Sequence, residues 1–176
     1  MKKLTTEEMG RMSVEEFRES EKIPLTVVLD NVRSLNNIGS VFRTSDAFRV
    51  EHIALCGITA TPPHREIHKT ALGAEESVAW SYHEDTAECV RVLKDKGYRL
   101  YAVELAHDSL KLGTDRVATD KPVALVLGNE IEGVQESLLP LCDGCLEIPQ
   151  YGTKHSLNVS CAAAIVIWEL FKMMKL

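Results

Sequence analysis

An α/β fold with a mainly parallel six-stranded sheet sandwiched by helices is predicted by three observations. Short apolar runs alternate with helical patterns from about residue 23 onward, and several of those runs are continuously apolar, as strands covered on both faces are. No linker rich in Gly or Ser, no internal repeat and no low-complexity tract interrupts the alternation. The chain has 176 residues, 45% hydrophobic and 26% charged, which suffices for one domain with a substantial core.

The first 22 residues read as a helical arm with two capping-box patterns, Thr5-Thr6-Glu7-Glu8 and Ser13-Val14-Glu15-Glu16. In each, a hydroxyl and a carboxylate three residues apart satisfy one another's backbone amides. Pro24 closes the arm, and residues 23–176 form the main domain. Strands are expected at Leu25 to Leu29, His52 to Cys56, Val78 to Tyr82, Arg99 to Val103, Val123 to Leu127 and Cys145 to Ile148. Helices are expected at Ile38 to Phe48, about His64 to Leu72, Thr86 to Lys96 and Gln135 to Leu141, with a long final one from Leu157 to Met174.

Composition narrows the function classes. The longest uninterrupted apolar run is the eight residues Cys161 to Trp168, short of the ~20 a membrane span needs, and the N-terminus lacks the apolar core of a secretory signal. A soluble cytoplasmic protein without a membrane partner is expected, and five cysteines, an odd count, fit reduced thiols. The net charge of −6 is unevenly spread. Residues 75–147 carry 15 acidic and seven basic side chains, whereas residues 33–72 carry three and five and residues 149–176 carry one and three. Folding can bring those two basic segments together as a modest cationic face.

Familiar motifs are absent or incomplete. After the first strand, Asp30-Asn31-Val32-Arg33-Ser34-Leu35-Asn36-Asn37-Ile38-Gly39 offers one glycine where a dinucleotide site wants three. Gly128-Asn129-Glu130-Ile131-Glu132-Gly133 has phosphate-loop spacing without the following Lys and Ser or Thr. Cys142-Asp143-Gly144-Cys145 is a lone pair ahead of a strand, and His64 and His68 lack further ligands, so no metal is expected.

Three polar segments at strand ends remain. The first, Asn31 to Phe48, carries Arg43, placed in the first or second turn of an amphipathic helix, where its planar fork can meet a phosphate oxygen. The second, Ala124 to Val134, is a buried strand ending in Gly128 and then Glu130, where strand-end acids of α/β enzymes lie. In the third, Leu146 to Ser160, a Pro and Gly loop enters the apolar last helix. Ser156 can cap that helix, and Asn158 offers donors and an acceptor in its first turn.

Together these segments resemble the three motifs of the SpoU (TrmH) family of the SPOUT class, RNA ribose 2′-O-methyltransferases. Asn37-Ile38-Gly39-Ser40-Val41-Phe42-Arg43-Thr44 is similar to motif 1 and Leu127-Gly128-Asn129-Glu130-Ile131-Glu132-Gly133-Val134 to motif 2. Ile148-Pro149 with Ser156-Leu157-Asn158-Val159-Ser160 is similar to motif 3. The match runs from about Leu25 to Phe171 in the family's order and spacing.

The resemblance implies a C-terminal trefoil knot, which general fold rules disfavour, S-adenosylmethionine held bent inside it, and a homodimer with its two active sites near the subunit interface. It implies that Val103, Leu127, Gly128, Ile148 and Leu157 contact the cofactor, and that Arg43, Glu130, Ser156 and Asn158 surround the reacting hydroxyl of a tRNA or rRNA ribose. Arg33 and Asn37 in the first loop, with Arg65, His68 and Lys69 downstream of it, are expected to contact RNA. A non-catalytic module that keeps the cofactor pocket or the RNA surface is the alternative reading.

Overall fold

A computed structural model describes residues 1–5 and 8–175. The predicted second capping box is present: Ser13 accepts from the Glu16 amide and Glu16 from the Ser13 amide, opening α1 (Val14–Glu19), whose Phe17 is buried. Thr5 and Glu8 make the same reciprocal pair, but Glu8 begins a turn and not a helix, and Thr6 and Glu7 lie outside the described residues.

The chain then alternates as β1 (Ile23–Asp30), α2 (Leu35–Ala47), β2 (Val50–Cys56), α3 (Arg65–Ala71), α4 (Ala74–Ser77), β3 (Trp80–His83), α5 (Thr86–Asp95), β4 (Arg99–Val103) and β5 (Leu110–Lys111). β6 (Val123–Leu127), a 3₁₀ turn (Glu136–Leu141), β7 (Gly144–Glu147) and α6 (Val159–Lys175) complete it. The expected sheet of six strands is corrected to seven among the described residues. The additional strand, β5, is two residues pairing with β7, too short to leave an apolar pattern. The helix expected over Gln135 to Leu141 is a 3₁₀ turn containing Pro140, which lacks the amide an α-helix needs there. The strand expected to start at Val78 starts at Trp80, because Val78 caps α4 with its amide on the Ala74 carbonyl.

All pairings are parallel, in the order β3-β2-β1-β6-β4-β7-β5. Alternation along the strands feeds two cores. Leu25, Val27 and Leu29 face α2, α3 and α6 through Ile38, Phe42, Ile67, Ala163 and Ile167, while Val28, Ala54, Ala102 and Val126 face α5 and the 3₁₀ turn through Val90 and Leu138. With both sheet faces covered, the centre of the sheet is apolar at almost every position, as for the fully buried β6. Gly39 lets α3 lie directly on α2: a Cβ there would sit 2.1 Å from Thr70 Oγ1 and 2.3 Å from the Ile67 carbonyl.

Chain direction across the sheet reverses between its neighbours β1 and β6. β1 leads through α2 to β2 on one side, and β6 leads through the 3₁₀ turn toward β7 on the other. The carboxyl ends flanking such a switch point are where open α/β sheets leave a crevice.

Candidate active site

The loops after β1, β6 and β7 meet at that switch point through a continuous set of hydrogen bonds. Ser34 caps α2 by accepting from the Asn37 amide. The Glu130 carboxylate, three residues beyond β6, accepts from the backbone amides of Arg33 (3.0 Å) and Ser34 (2.9 Å) and from Asn37 Nδ2 (3.0 Å). A carboxylate among the free amides of a helix N-terminus is electrostatically favoured. Partial burial by itself would raise the Glu130 carboxyl, but these donors outweigh it and hold the group below the usual glutamate range.

Asn37, expected to touch RNA, is buried with its amide committed at both ends: its Oδ1 accepts from Asn158 Nδ2 at 3.1 Å. Asn158 in turn caps α6, its Oδ1 accepting from the amides of Ser160 and Cys161 at 2.9 and 3.3 Å and from the Ser160 hydroxyl at 2.6 Å. The cap expected at Ser156 is therefore two residues later, because the helix starts at Val159 and only Asn158 has an oxygen at the right distance from its first amides. Glu130, Asn37 and Asn158 thus tie all three segments side chain to side chain.

A second set of bonds holds the loop after β6. Asn129 and Gly133 exchange both backbone hydrogen bonds at 2.9 Å, and Asn129 Nδ2 donates to the Asn31 carbonyl at 2.8 Å. The Val134 amide donates to Glu104 at 3.1 Å, and Gln135 donates to Asp30 through its backbone (3.1 Å) and its side chain (2.6 Å). Asp30 is fully buried and also accepts from Thr86 Oγ1 and Asn31 Nδ2. A buried carboxylate needs this many donors to offset its desolvation. Asp30, Asn129, Gln135 and Glu104 were missed from sequence; for Asp30 and Glu104 the available signal was a polar residue at the end of an otherwise apolar strand.

Under this loop lies a cleft of about 590 Å³, within the range of small-molecule sites. Its lining includes every cofactor residue the resemblance named, Val103, Leu127, Gly128, Ile148 and Leu157, together with Glu130, Ser156 and Asn158. Arg43 is not part of it. Arg43 sits in the third turn of α2, not in the first or second, because the helix begins at Leu35. Its guanidinium is exposed and makes no hydrogen bond or ion pair with the described residues. Arg33 precedes the helix, and Arg65, His68 and Lys69 lie on α3, where His68 bonds Glu75 at 2.6 Å and Lys69 pairs with Glu66 at 2.7 Å.

The cleft's charge suits a cation. Glu104, Glu130, Glu132, Glu136 and Glu147 line it and no Lys or Arg does. Its apolar surface comes from strand ends, and the absence of a Cβ at Gly128 leaves the strand and the returning loop in backbone contact. A sulfonium nucleoside fits this combination in size and in charge. The thiols of Cys142 and Cys145 are raised by burial, Cys142 to about 11, so both are protonated near neutrality. Among the described residues no three or more His, Cys, Asp or Glu side chains are arranged to hold a metal, and no helix is long and apolar enough to cross a membrane.

Comparison with known proteins agrees with this fold. The family model of the SpoU rRNA methylase family matches residues 24–168. The chain belongs to that family. It is 35% identical over 162 residues to the tRNA (guanosine(18)-2′-O)-methyltransferase of Thermus thermophilus, covering 92% of this chain and 81% of the relative. It is 34% identical to the 23S rRNA (guanosine-2′-O-)-methyltransferase RlmB of Nitrosomonas europaea, covering 84% of this chain but only 56% of the relative. The solved structure of an AdoMet-bound rRNA methyltransferase from Sinorhizobium meliloti superposes with a TM-score of 0.80 at 29% identity, over 90% of this chain and 60% of that one. The TrmH/SpoU tRNA modifying enzyme of A. aeolicus superposes at 0.79 with 27% identity, over 90% and 79%.

Proposed function

We propose that this SpoU-family chain transfers a methyl group from S-adenosylmethionine to a ribose 2′-hydroxyl of tRNA or rRNA. The observation that carries the reading is the joining of all three motif loops, through Glu130, Asn37 and Asn158, over one carboxylate-lined cleft at the switch point of the sheet. Leu127, Gly128, Ile148 and Leu157, with Val103 at the end of β4, would hold the donor. S-adenosylmethionine, when bound, supplies an electrophilic methyl on a good leaving group. What the chain adds is mainly position, since a well-oriented pair gains on the order of 7–11 kcal/mol over free reactants.

Glu130 acts on the loops and not on Arg43: it fixes the start of α2, and Asn37 passes that position to Asn158. Ser156 is exposed at the cleft and available to a ribose or phosphate oxygen. Arg43 serves as a cation that fixes a phosphate and stabilises the developing alkoxide, because a guanidinium of pKa above ~12 is a poor proton acceptor. A phosphate oxygen or water takes the proton.

Since Arg43 does not line the cleft of its own chain, the reading includes a homodimer that completes the site. Support comes from the exposed apolar residues Ile165, Trp168 and Met173 on α6, beside α2 and the Phe48 that caps it. The trefoil knot, the single domain over residues 23–176 with an N-terminal arm, and a cytoplasmic location belong to the same proposal, as do RNA contacts by Arg33, Arg65, His68 and Lys69.

Incubation with methyl-labelled S-adenosylmethionine and total RNA, followed by alkaline hydrolysis, tests the proposal. Label in alkali-resistant dinucleotides is expected, since a 2′-O-methyl blocks cleavage. Donor binding without any transfer to RNA would instead assign the chain as a non-catalytic module.

A further inference from the structure

Ten aromatic side chains are present, and nine have a place in the fold. Phe17, Phe42 and Tyr101 are buried, and Trp80 and Tyr98 pack on the cores. Phe48, Trp168 and Phe171 form one ring cluster, and the Tyr82 hydroxyl donates to the Gly57 carbonyl at 3.0 Å. Tyr151 differs: it is 98% exposed, and neither its ring nor its hydroxyl has a partner among the described residues. An aromatic ring left entirely in water forfeits the large burial such a side chain offers and leaves both its faces free for another role.

Its neighbours supply one. Gln150 on one side and His155 and Ser156 on the other line the donor cleft, so Tyr151 stands on the same loop at the rim. From Ile148 to Trp168 there is no acidic residue, and Lys154, three residues after Tyr151, is exposed. The facing loop after β6 carries Glu130, Glu132 and Glu136. An RNA backbone is repelled by that loop and received by this one.

We propose that Tyr151 is a stacking platform for a nucleobase next to the methylated nucleotide, with Lys154 meeting the adjoining phosphate. Stacking on an aromatic ring is sequence-tolerant and holds single-stranded or unpaired RNA. This rests on the RNA-methylating reading above and adds a binding contact that none of the three motifs contains.

The test compares wild type, Tyr151→Ala, Tyr151→Phe and Lys154→Ala in three measurements: affinity for unfractionated tRNA and for a single-stranded oligo(A) RNA, S-adenosylmethionine binding by calorimetry, and sedimentation. Tyr151→Ala should weaken RNA binding on the order of tenfold, as loss of one stacked base does. Tyr151→Phe should retain it, and Lys154→Ala should reduce the salt slope by about one. Donor affinity and sedimentation should not change. Equal RNA affinity in wild type and Tyr151→Ala overturns the stacking role, as does a change in sedimentation, which would make Tyr151 a contact between copies. Failure of wild type to bind any RNA while binding the donor overturns the underlying RNA reading instead.

Discussion

Replacing Gly128 by alanine is the sharpest test of how the cleft is built. The backbone there is not in the left-handed region, so only space excludes a side chain. A Cβ would lie 2.1 Å from the Gly133 carbonyl carbon, 2.1 Å from the Val134 nitrogen and 2.2 Å from the Gly133 oxygen, all backbone atoms. Ordinary carbon contacts are ~3.5–4.0 Å, so the loop must retreat by about 1.5 Å. That retreat breaks the paired Asn129–Gly133 bonds and the Val134 bond to Glu104. Two neutral bonds at about 0.5–1.5 kcal/mol each and one to a carboxylate at about 1.5–3 kcal/mol give a loss of about 2.5–6 kcal/mol. For a chain of this length the melting temperature should fall by on the order of 10 °C. Leu127, Gly133 and Val134 line the cleft, so S-adenosylmethionine affinity should drop about ten- to a hundredfold. Thermal unfolding and calorimetric titration read both quantities, with Gly152→Ala as the control, since nothing lies within 4 Å of a Cβ there. A Gly128→Ala protein that melts within about 2 °C of wild type and binds the donor normally would refute the closure of the loop on the strand.

Further outcomes follow from the same structure. Arg43→Ala should leave folding and donor binding intact while lowering single-turnover methylation about a hundredfold, as loss of an alkoxide donor does; turnover near wild type would remove Arg43 from the chemistry. Asp30→Asn presents an amide to the Gln135 donors and should destabilise by about 2–4 kcal/mol in urea melts, whereas an unchanged midpoint would deny Asp30 its bracing role. Glu130 titrates below its ordinary value when folded, so its stabilisation is complete above the unfolded glutamate range and is lost as pH falls through the lowered value. Glu130→Gln should flatten that acid slope, and identical slopes would contradict the assignment. His52 is lowered by burial and then by His83 and Lys96, and it shares the Ser81 hydroxyl with His83. The neutral ring is therefore favoured in the fold, and stability should decline as pH drops below about 6.5, a decline His52→Gln should lessen in urea melts at about pH 7.5 and 5.5.

Legibility from sequence followed how local each signal is. β4 and β6 coincide with their predicted bounds, because a strand buried on both faces is marked by its own residues. The Ser13 capping box is equally local. β5 was not legible: its two residues are held only by β7, far along the chain. Within the site, the motif residues could be named, yet the order of connection could not. Nothing in the sequence says that Asn37 turns inward to Glu130 and Asn158, or that Asn158 and not Ser156 caps α6.

Apolar periodicity and residue type carry the α/β class and the three polar segments at strand ends directly. Tertiary structure decided which of the polar residues meet. Asp30, Glu104 and Glu130 are brought to backbone amides up to about a hundred residues away by the parallel crossovers, and a buried carboxylate's partner depends on that path through space. The same crossovers leave Arg43 outside the cleft its own loops enclose.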